Sequence, residues 1–367
     1  MAHLNIKISE IKKNIRTITR YLDQYDVKWS LVTKVFSGDR EFLRRLLTPE
    51  IVKNLHSVGD SRLTSLKNLK AVYPEIQTIY IKPPARVYAD DVVKYADISL
   101  NSSYNTIVAL NEAAKKQKKT HKIILMVEMG ELREGIDRDN LVNFYKRVFE
   151  MSNIEVIGLG SNLGCMYGVE PTYDKLLQLS LYKRLIECKF NKKMDFVSGG
   201  SSITLPLLEK GNVPPEINHF RIGEAAFFGT SPYDNNQFLE LSTDTFNFYA
   251  NLIELEEKGI VPDGIINEAN IGHTAGFKEV DLDKTTYKGI VDFGMLDVDY
   301  HDLTPKDPEI KFVGTTSDMT VYDLGENIDD KGNKKYSIND AICFKPSYMA
   351  AARLLHSKFI DLSFEDE

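Results

Sequence analysis

The chain has 367 residues, more than an average single domain, so one large domain with a smaller companion is expected. With 43% hydrophobic and 27% charged residues it has ordinary material for a soluble globular core, and its net charge of −7 argues against a nucleic-acid binder. No apolar stretch approaches the roughly 20 residues needed to cross a bilayer.

In chain order, the amino terminus Met1-Ala2-His3-Leu4-Asn5-Ile6-Lys7 lacks the apolar core of a signal peptide. Short β-rich runs then occur at 28–34, 54–58, 76–82, 97–101, 122–128, 154–160, 195–198 and 219–222. Helical spacing fills the gaps: Arg40 to Leu47, Leu63 to Val72, Tyr104 to Lys116, Leu141 to Met151 and Tyr173 to Glu187. Eight strands alternating with helices call for a parallel sheet, and that number closes into a (β/α)8 TIM barrel. An open doubly wound sheet is the alternative, but no GxGxxG follows the first strand. The basic run Lys115-Lys116-Gln117-Lys118-Lys119 follows a helical pattern and reads as a solvated helix end.

After Gly229 the texture changes. Ser231-Pro232-Tyr233-Asp234-Asn235-Asn236 reads as a linker, dividing a barrel over residues 1–232 from a second domain over 233–367. That second part has β-type runs at 248–255, 264–271, 287–293, 310–314, 319–324 and 340–344, separated by Gly, Asp and Pro turns. A mostly antiparallel β domain is expected, closed by a short helix between Phe344 and Leu355. Cys165, Cys188 and Cys343 form no CxxC pair, which fits a reducing cytoplasm. The histidines show no HxxxH or paired Cys/His spacing, so no zinc or other metal site is expected.

In such a barrel, chemistry collects at the carboxyl ends of the strands. The first strand ends in Thr33-Lys34. A lysine buried there is costly to desolvate, which pushes its pKa down toward a nucleophilic amine. A Schiff base with a carbonyl cofactor requires such a lysine; a strand-end lysine reaching out to water is the plain alternative. Later strands lead into Gly59-Asp60-Ser61-Arg62, Asn101-Ser102-Ser103, Glu128-Met129-Gly130-Glu131-Leu132-Arg133-Glu134-Gly135, Gly160-Ser161-Asn162, Ser198-Gly199-Gly200-Ser201-Ser202 and Arg221-Ile222-Gly223-Glu224. The last two are a Ser/Gly turn beside a glycine opening a helical turn, the usual place for a phosphate at the mouth of a barrel, although such residues also simply make tight loops. A lysine across the mouth from a phosphate cradle points to pyridoxal 5′-phosphate. Arg221 would face its pyridine nitrogen and keep it unprotonated, weakening the electron sink and favouring proton removal and return. An ion pair between Arg221 and Glu224 competes with that role.

Together these segments, with Gly158-Leu159-Gly160-Ser161-Asn162-Leu163-Gly164-Cys165 and Ile217-Asn218-His219-Phe220-Arg221-Ile222-Gly223-Glu224-Ala225, resemble the alanine-racemase-like, fold-type III pyridoxal-phosphate enzymes, and within them the ornithine racemases. The resemblance implies that Lys34 carries the cofactor and is one of two racemising bases. It implies that Ser201, Ser202 and the backbone at Gly223 and Glu224 hold the phosphate, and that Arg221 faces the pyridine nitrogen. Asn162 would lie against the ring, and Arg133 near the phenolic oxygen or the substrate carboxylate. In the second domain, Ile271-Gly272-His273-Thr274-Ala275-Gly276-Phe277 resembles the turn that delivers the second base from the partner subunit, with histidine in the place of tyrosine. Histidine is a competent base near neutral pH; Tyr287, Asp297 and Tyr300 are reserves. Gly314-Thr315-Thr316-Ser317-Asp318 resembles the segment inserted beside the substrate, where Asp318 would pair with a distal ammonium. Tyr348 stands where the family has a phosphate-contacting tyrosine, whereas the tyrosine expected four residues after the lysine is replaced by Gly38.

The expectation is therefore a cytoplasmic, homodimeric, pyridoxal-phosphate-dependent racemase of a small amino acid, basic such as ornithine, with its active site shared between subunits and no nucleic-acid or membrane partner. A decarboxylase of the same fold would place Cys343 near the cofactor, but Ala341-Ile342-Cys343-Phe344 reads as buried strand. A non-catalytic pyridoxal-phosphate carrier resembles the barrel half alone.

Overall fold

The computed structural model describes residues 1–265, 272–276 and 284–366. The chain forms two compact units, Glu10–Thr243 and a second made of Met1–Ser9 with Asp244–Glu367. It opens with strand β1 (His3–Lys7) and helix α1 (Ile8–Asp23). Ile8, Ile11, Ile15, Ile18 and Leu22 recur at alternating three- and four-residue spacing along α1, and all are buried. That helix was not among the expected elements, although its spacing carries the signal.

The larger unit continues with β2 (Lys28–Val32), α2 (Arg40–Leu46), α3 (Pro49–Val52), β3 (Ser57–Asp60), α4 (Leu63–Val72), β4 (Thr78–Tyr80), α5 (Ala89–Tyr95), β5 (Ile98–Asn101) and α6 (Tyr104–Lys116). Then come β6 (His121–Met126), α7 (Leu141–Val148), β7 (Ile154–Gly160), α8 (Tyr173–Phe190), β8 (Phe196–Ser198), β9 (Gly200–Ser201), α9 (Leu205–Glu209), β10 (His219–Ile222) and α10 (Glu224–Phe228). Local chemistry sets the helix starts. Asp39 accepts the Phe42 N–H at 2.7 Å before α2, and the Thr172 hydroxyl accepts that of Lys175 before α8.

Strands β2 to β8 pair in sequence order, and β9–β10–β2 completes the ring. Because β9 continues β8 beyond Gly199, the two are halves of one stave, and eight parallel staves make the nearly closed barrel expected from the sequence. The doubly wound alternative is set aside by the pairing of β10 with β2. The break in the seventh stave depends on glycine: a Cβ on Gly200 would lie 2.1 Å from the Phe220 ring. Ile79, Ile98, Leu100, Ile124, Met126, Ile157 and Phe196 form a buried apolar cluster in this unit.

The other unit is built on the long strand β11 (Phe246–Gly259), followed by β12 (His273–Thr274), β13 (Thr285–Val291), β14 (Leu303–Pro305), β15 (Lys311–Thr315), β16 (Thr320–Asp323), β17 (Ala341–Pro346), α11 (Tyr348–Leu354) and β18 (Asp361–Glu365). β11 pairs antiparallel with β1, β13 and β17, and β1 pairs parallel with β18, so the sheet is mostly antiparallel. Most of the run expected at 264–271 lies outside the described residues. The terminal helix begins only at Tyr348, because residues through Pro346 extend β17. No described helix is long and apolar enough to cross a membrane.

Candidate active site

The residues singled out in the larger unit gather at the carboxyl ends of its staves. β2 stops at Val32, and Lys34 opens a short 3-10 turn, Lys34–Phe36, in which Val35 and Phe36 are buried. Lys34 itself is exposed, so the expectation of a lysine buried at a strand end is corrected. The chain leaves the sheet after Val32, and the turn sends its apolar neighbours inward instead. Glu224, half-buried at the start of α10, feels the Lys34 charge: burial raises its pKa and Lys34 opposes the rise.

Arg221 is 7% exposed. Its Nη1 donates to the Ser198 carbonyl at 2.7 Å and to the Ser198 hydroxyl, while Nη2 donates to the Ser161 carbonyl at 2.7 Å and to Asn162 Oδ1 at 2.8 Å. These four acceptors account for the four Nη hydrogens, and the ion pair with Glu224 is not formed. Only the Nε–H of this guanidinium has no acceptor among the described residues. Burial lowers the Arg221 pKa to about 10, with Glu134 opposing the fall, so the group stays cationic at neutral pH.

The two phosphate-type segments are joined. Ser201 lies beside Arg221 in the β9–β10 pairing, and the Ser202 hydroxyl accepts the Ala225 N–H at 3.2 Å. The Ser202 hydroxyl keeps its own hydrogen to donate. Ser201 forms a reciprocal capping box with Thr204: its hydroxyl accepts the Thr204 N–H, and the Thr204 hydroxyl accepts the Ser201 N–H at 3.1 Å. Gly38 sits at φ +73°, and a Cβ there would lie 2.5 Å from the Ser65 Cα on α4. A tyrosine four residues after the lysine has no room against that backbone.

Arg133 forms a two-pronged ion pair with Glu134 and contacts the Cys165 sulfur. Glu134 also accepts from the Asn162 amide, so Arg133, Glu134, Asn162 and Arg221 make one chain of hydrogen bonds. Glu131, 2% exposed, accepts the N–H groups of Cys165, Tyr167 and Val169, each at 2.9 Å. It thereby ties the loop after β7 to the loop after β6. Sequence reasoning quoted Glu131 and Glu134 within a motif but gave them no role; acidic residues flanking an arginine in a Gly-rich turn were the available signal.

The remaining candidates lie in the other unit. His273 is exposed on β12, which pairs with β15 so that His273 stands opposite Thr315. This sets it beside the turn bearing Asp318, whose exposed carboxylate meets only the Thr316 and Ser317 hydroxyls among the described residues. Ile271 and Phe277 of the histidine turn lie outside the described residues. Among the reserves, Asp297 accepts from Gly294 N–H and the Ser357 hydroxyl, Tyr300 stacks on Phe312 at 3.6 Å, and Tyr287 is half-buried on β13. Tyr348 is half-buried at the start of α11. Burial raises the Cys343 thiol pKa, and its sulfur, half-buried on β17, lies 4.0 Å from Asn247 Oδ1.

The family model for the alanine racemase N-terminal domain matches residues 6–232. The chain belongs to this family. It is 30% identical to an ornithine racemase from Acetoanaerobium sticklandii over 359 residues, 98% of each protein. It is 28% identical to a lysine racemase from Thermotoga maritima over 362 residues, 99% of this chain and 98% of that one. The fold matches an alanine racemase from Bartonella henselae with covalently bound pyridoxal phosphate at a TM-score of 0.70 and 16% identity, over 99% of this chain and 98% of that one.

Proposed function

We propose that the chain is a pyridoxal 5′-phosphate-dependent racemase of a basic amino acid, with ornithine and lysine as the first substrates to test. One observation carries the reading: Arg221 is buried with every Nη hydrogen taken by protein acceptors, which leaves Nε–H for a ligand acceptor in the barrel. The donor set fits a phosphorylated pyridine aldehyde. Lys34 supplies an exposed primary amine, and Ser202 a hydroxyl hydrogen beside the amides at Gly223 and Glu224. The two full-length relatives named for ornithine and lysine support the substrate class.

When bound, pyridoxal phosphate acidifies the substrate's Cα–H by drawing electron density from the α-carbon. Lys34 would hold the cofactor covalently, yield it to the substrate amine, and take or return the Cα proton on one face. His273, supplied by a second copy of the chain, would serve the other face. Arg221, cationic and able only to donate, would favour an unprotonated ring nitrogen and so return of the proton to Cα. Asn162 would fix the ring through its bond to Arg221, and Arg133, held by Glu134, would orient the phenolic oxygen or the substrate carboxylate. Ser202, Gly223, Glu224 and Tyr348 would hold the phosphate, with Ser201 shaping the turn. Asp318 would take the distal ammonium. We place the enzyme in the cytoplasm as a homodimer.

Incubation in D₂O with pyridoxal phosphate and a panel of L- and D-amino acids tests the whole reading. Deuterium at Cα with inversion is expected for ornithine or lysine. Cofactor binding without exchange on any amino acid would overturn it.

A further inference from the structure

Beneath Arg221 runs a second line of hydrogen bonds that the proposed chemistry does not use. His219, fully buried on β10, has Nδ1 2.7 Å from the Ser198 hydroxyl and Nε2 2.9 Å from the Ser30 hydroxyl, which lies 2.6 Å from that of Ser57. The Ser198 hydroxyl also receives Arg221 Nη1. A guanidinium only donates, so the Ser198 oxygen accepts there. The hydroxyl's own hydrogen then has one acceptor among the described residues, His219 Nδ1. The neutral ring must carry its hydrogen on Nε2 and donate it to Ser30, which passes its own hydrogen to Ser57.

The opposite tautomer would leave the buried Ser198 O–H without an acceptor among the described residues, which a buried donor does not tolerate cheaply. A protonated ring would strand the same hydrogen. The ionisable groups facing His219 are His56, Arg221 and Lys28, none of them an acid, so nothing there favours an imidazolium.

We propose that neutral His219, as the Nε2–H tautomer, is a positioning residue that holds Arg221 in place through Ser198. The inference rests on the proposed role of Arg221 for its consequence, but not for its geometry. Uncharged, the imidazole draws the Ser198 hydrogen to itself and leaves the hydroxyl's lone pairs to the guanidinium. The direction in which Arg221 presents its Nε–H is then set through Ser198 by His219, deeper in the barrel.

Two measurements test this. In ¹⁵N spectra of histidine-labelled, cofactor-free protein, His219 should show an unprotonated Nδ1 and a protonated Nε2, unchanged from about pH 6 to pH 8. A ring protonated on Nδ1, or one that titrates in that range, overturns the proposal. In steady-state kinetics, His219→Leu should lower kcat about 10- to 100-fold with KM nearly unchanged, and His219→Asn, whose amide oxygen can replace Nδ1 as acceptor, should recover most of the loss. Equal kcat in the two variants, or a change confined to KM, also overturns it. If His219→Leu does not fold, Ser198→Ala removes the same hydroxyl and takes its place in the comparison. A wild-type protein that racemises nothing would sink the proposed function, while the spectra would still decide the state of His219.

Discussion

In the barrel, Arg221 is buried and meets Ser161, Asn162 and Ser198 from two other staves, whereas in the antiparallel unit His273 and Asp318 stand exposed on a two-residue strand and the turn beside it. A parallel barrel brings the ends of eight staves to one rim, so charged groups there can be held by partners distant in sequence. The antiparallel sheet joins β12 to β15 mainly through backbone pairing, and the Asp318 carboxylate meets only its neighbours Thr316 and Ser317. The barrel fixes the buried Arg221 through partners on two other staves. Among the described residues of the other unit, the Asp318 carboxylate meets only neighbouring hydroxyls, and His273 stands exposed on its short strand.

The strongest test of the contrast is Lys34→Ala, which should abolish both racemisation and the visible absorbance of bound cofactor. An unchanged spectrum would show that the barrel does not hold the cofactor through that amine. Next comes His273→Ala, expected to keep the cofactor spectrum while turnover in at least one direction falls about 10²- to 10⁴-fold. Near-normal rates both ways would remove the antiparallel unit's histidine from the chemistry.

The smallest effect measures what the barrel's burial costs. Asp60, 1% exposed at the end of β3, has its pKa raised to about 6 by burial, against the lowering effect of the Arg62 N–H. A carboxyl whose folded pKa lies above its unfolded one favours the fold at low pH and loses that advantage as pH rises through about 6. Asp60→Asn, which does not titrate, should therefore stabilise the protein by up to about 3 kcal/mol near pH 8 and by less than about 1 kcal/mol near pH 4. Urea unfolding at the two pH values checks this, and an equal gain at both would refute the burial argument.

Much of this was legible in the residues. Periodicity located all eight barrel staves, with helices Leu63–Val72 and Tyr104–Lys116 falling where expected, because apolar spacing reports local structure directly. The order of Lys34, Arg133, Asn162, Ser202 and Arg221 at stave ends was equally visible, since a parallel barrel turns chain order into order around a rim. The sequence by itself thus determined the barrel, the antiparallel second part and the family.

Tertiary structure decided the rest. Strand β1 joins the antiparallel sheet 246 residues away in the chain, pairing His3 with Tyr249, and no local pattern encodes a partner at that distance. The exposure of Lys34 depends on where β2 ends. The bonds of Glu134 to Arg133 and Asn162, and of His219 to Ser198 and Ser30, exist only once separate staves are packed side by side. Hydrophobic spacing is a property of neighbours along the chain; hydrogen-bond partnership between buried polar groups is a property of neighbours in space.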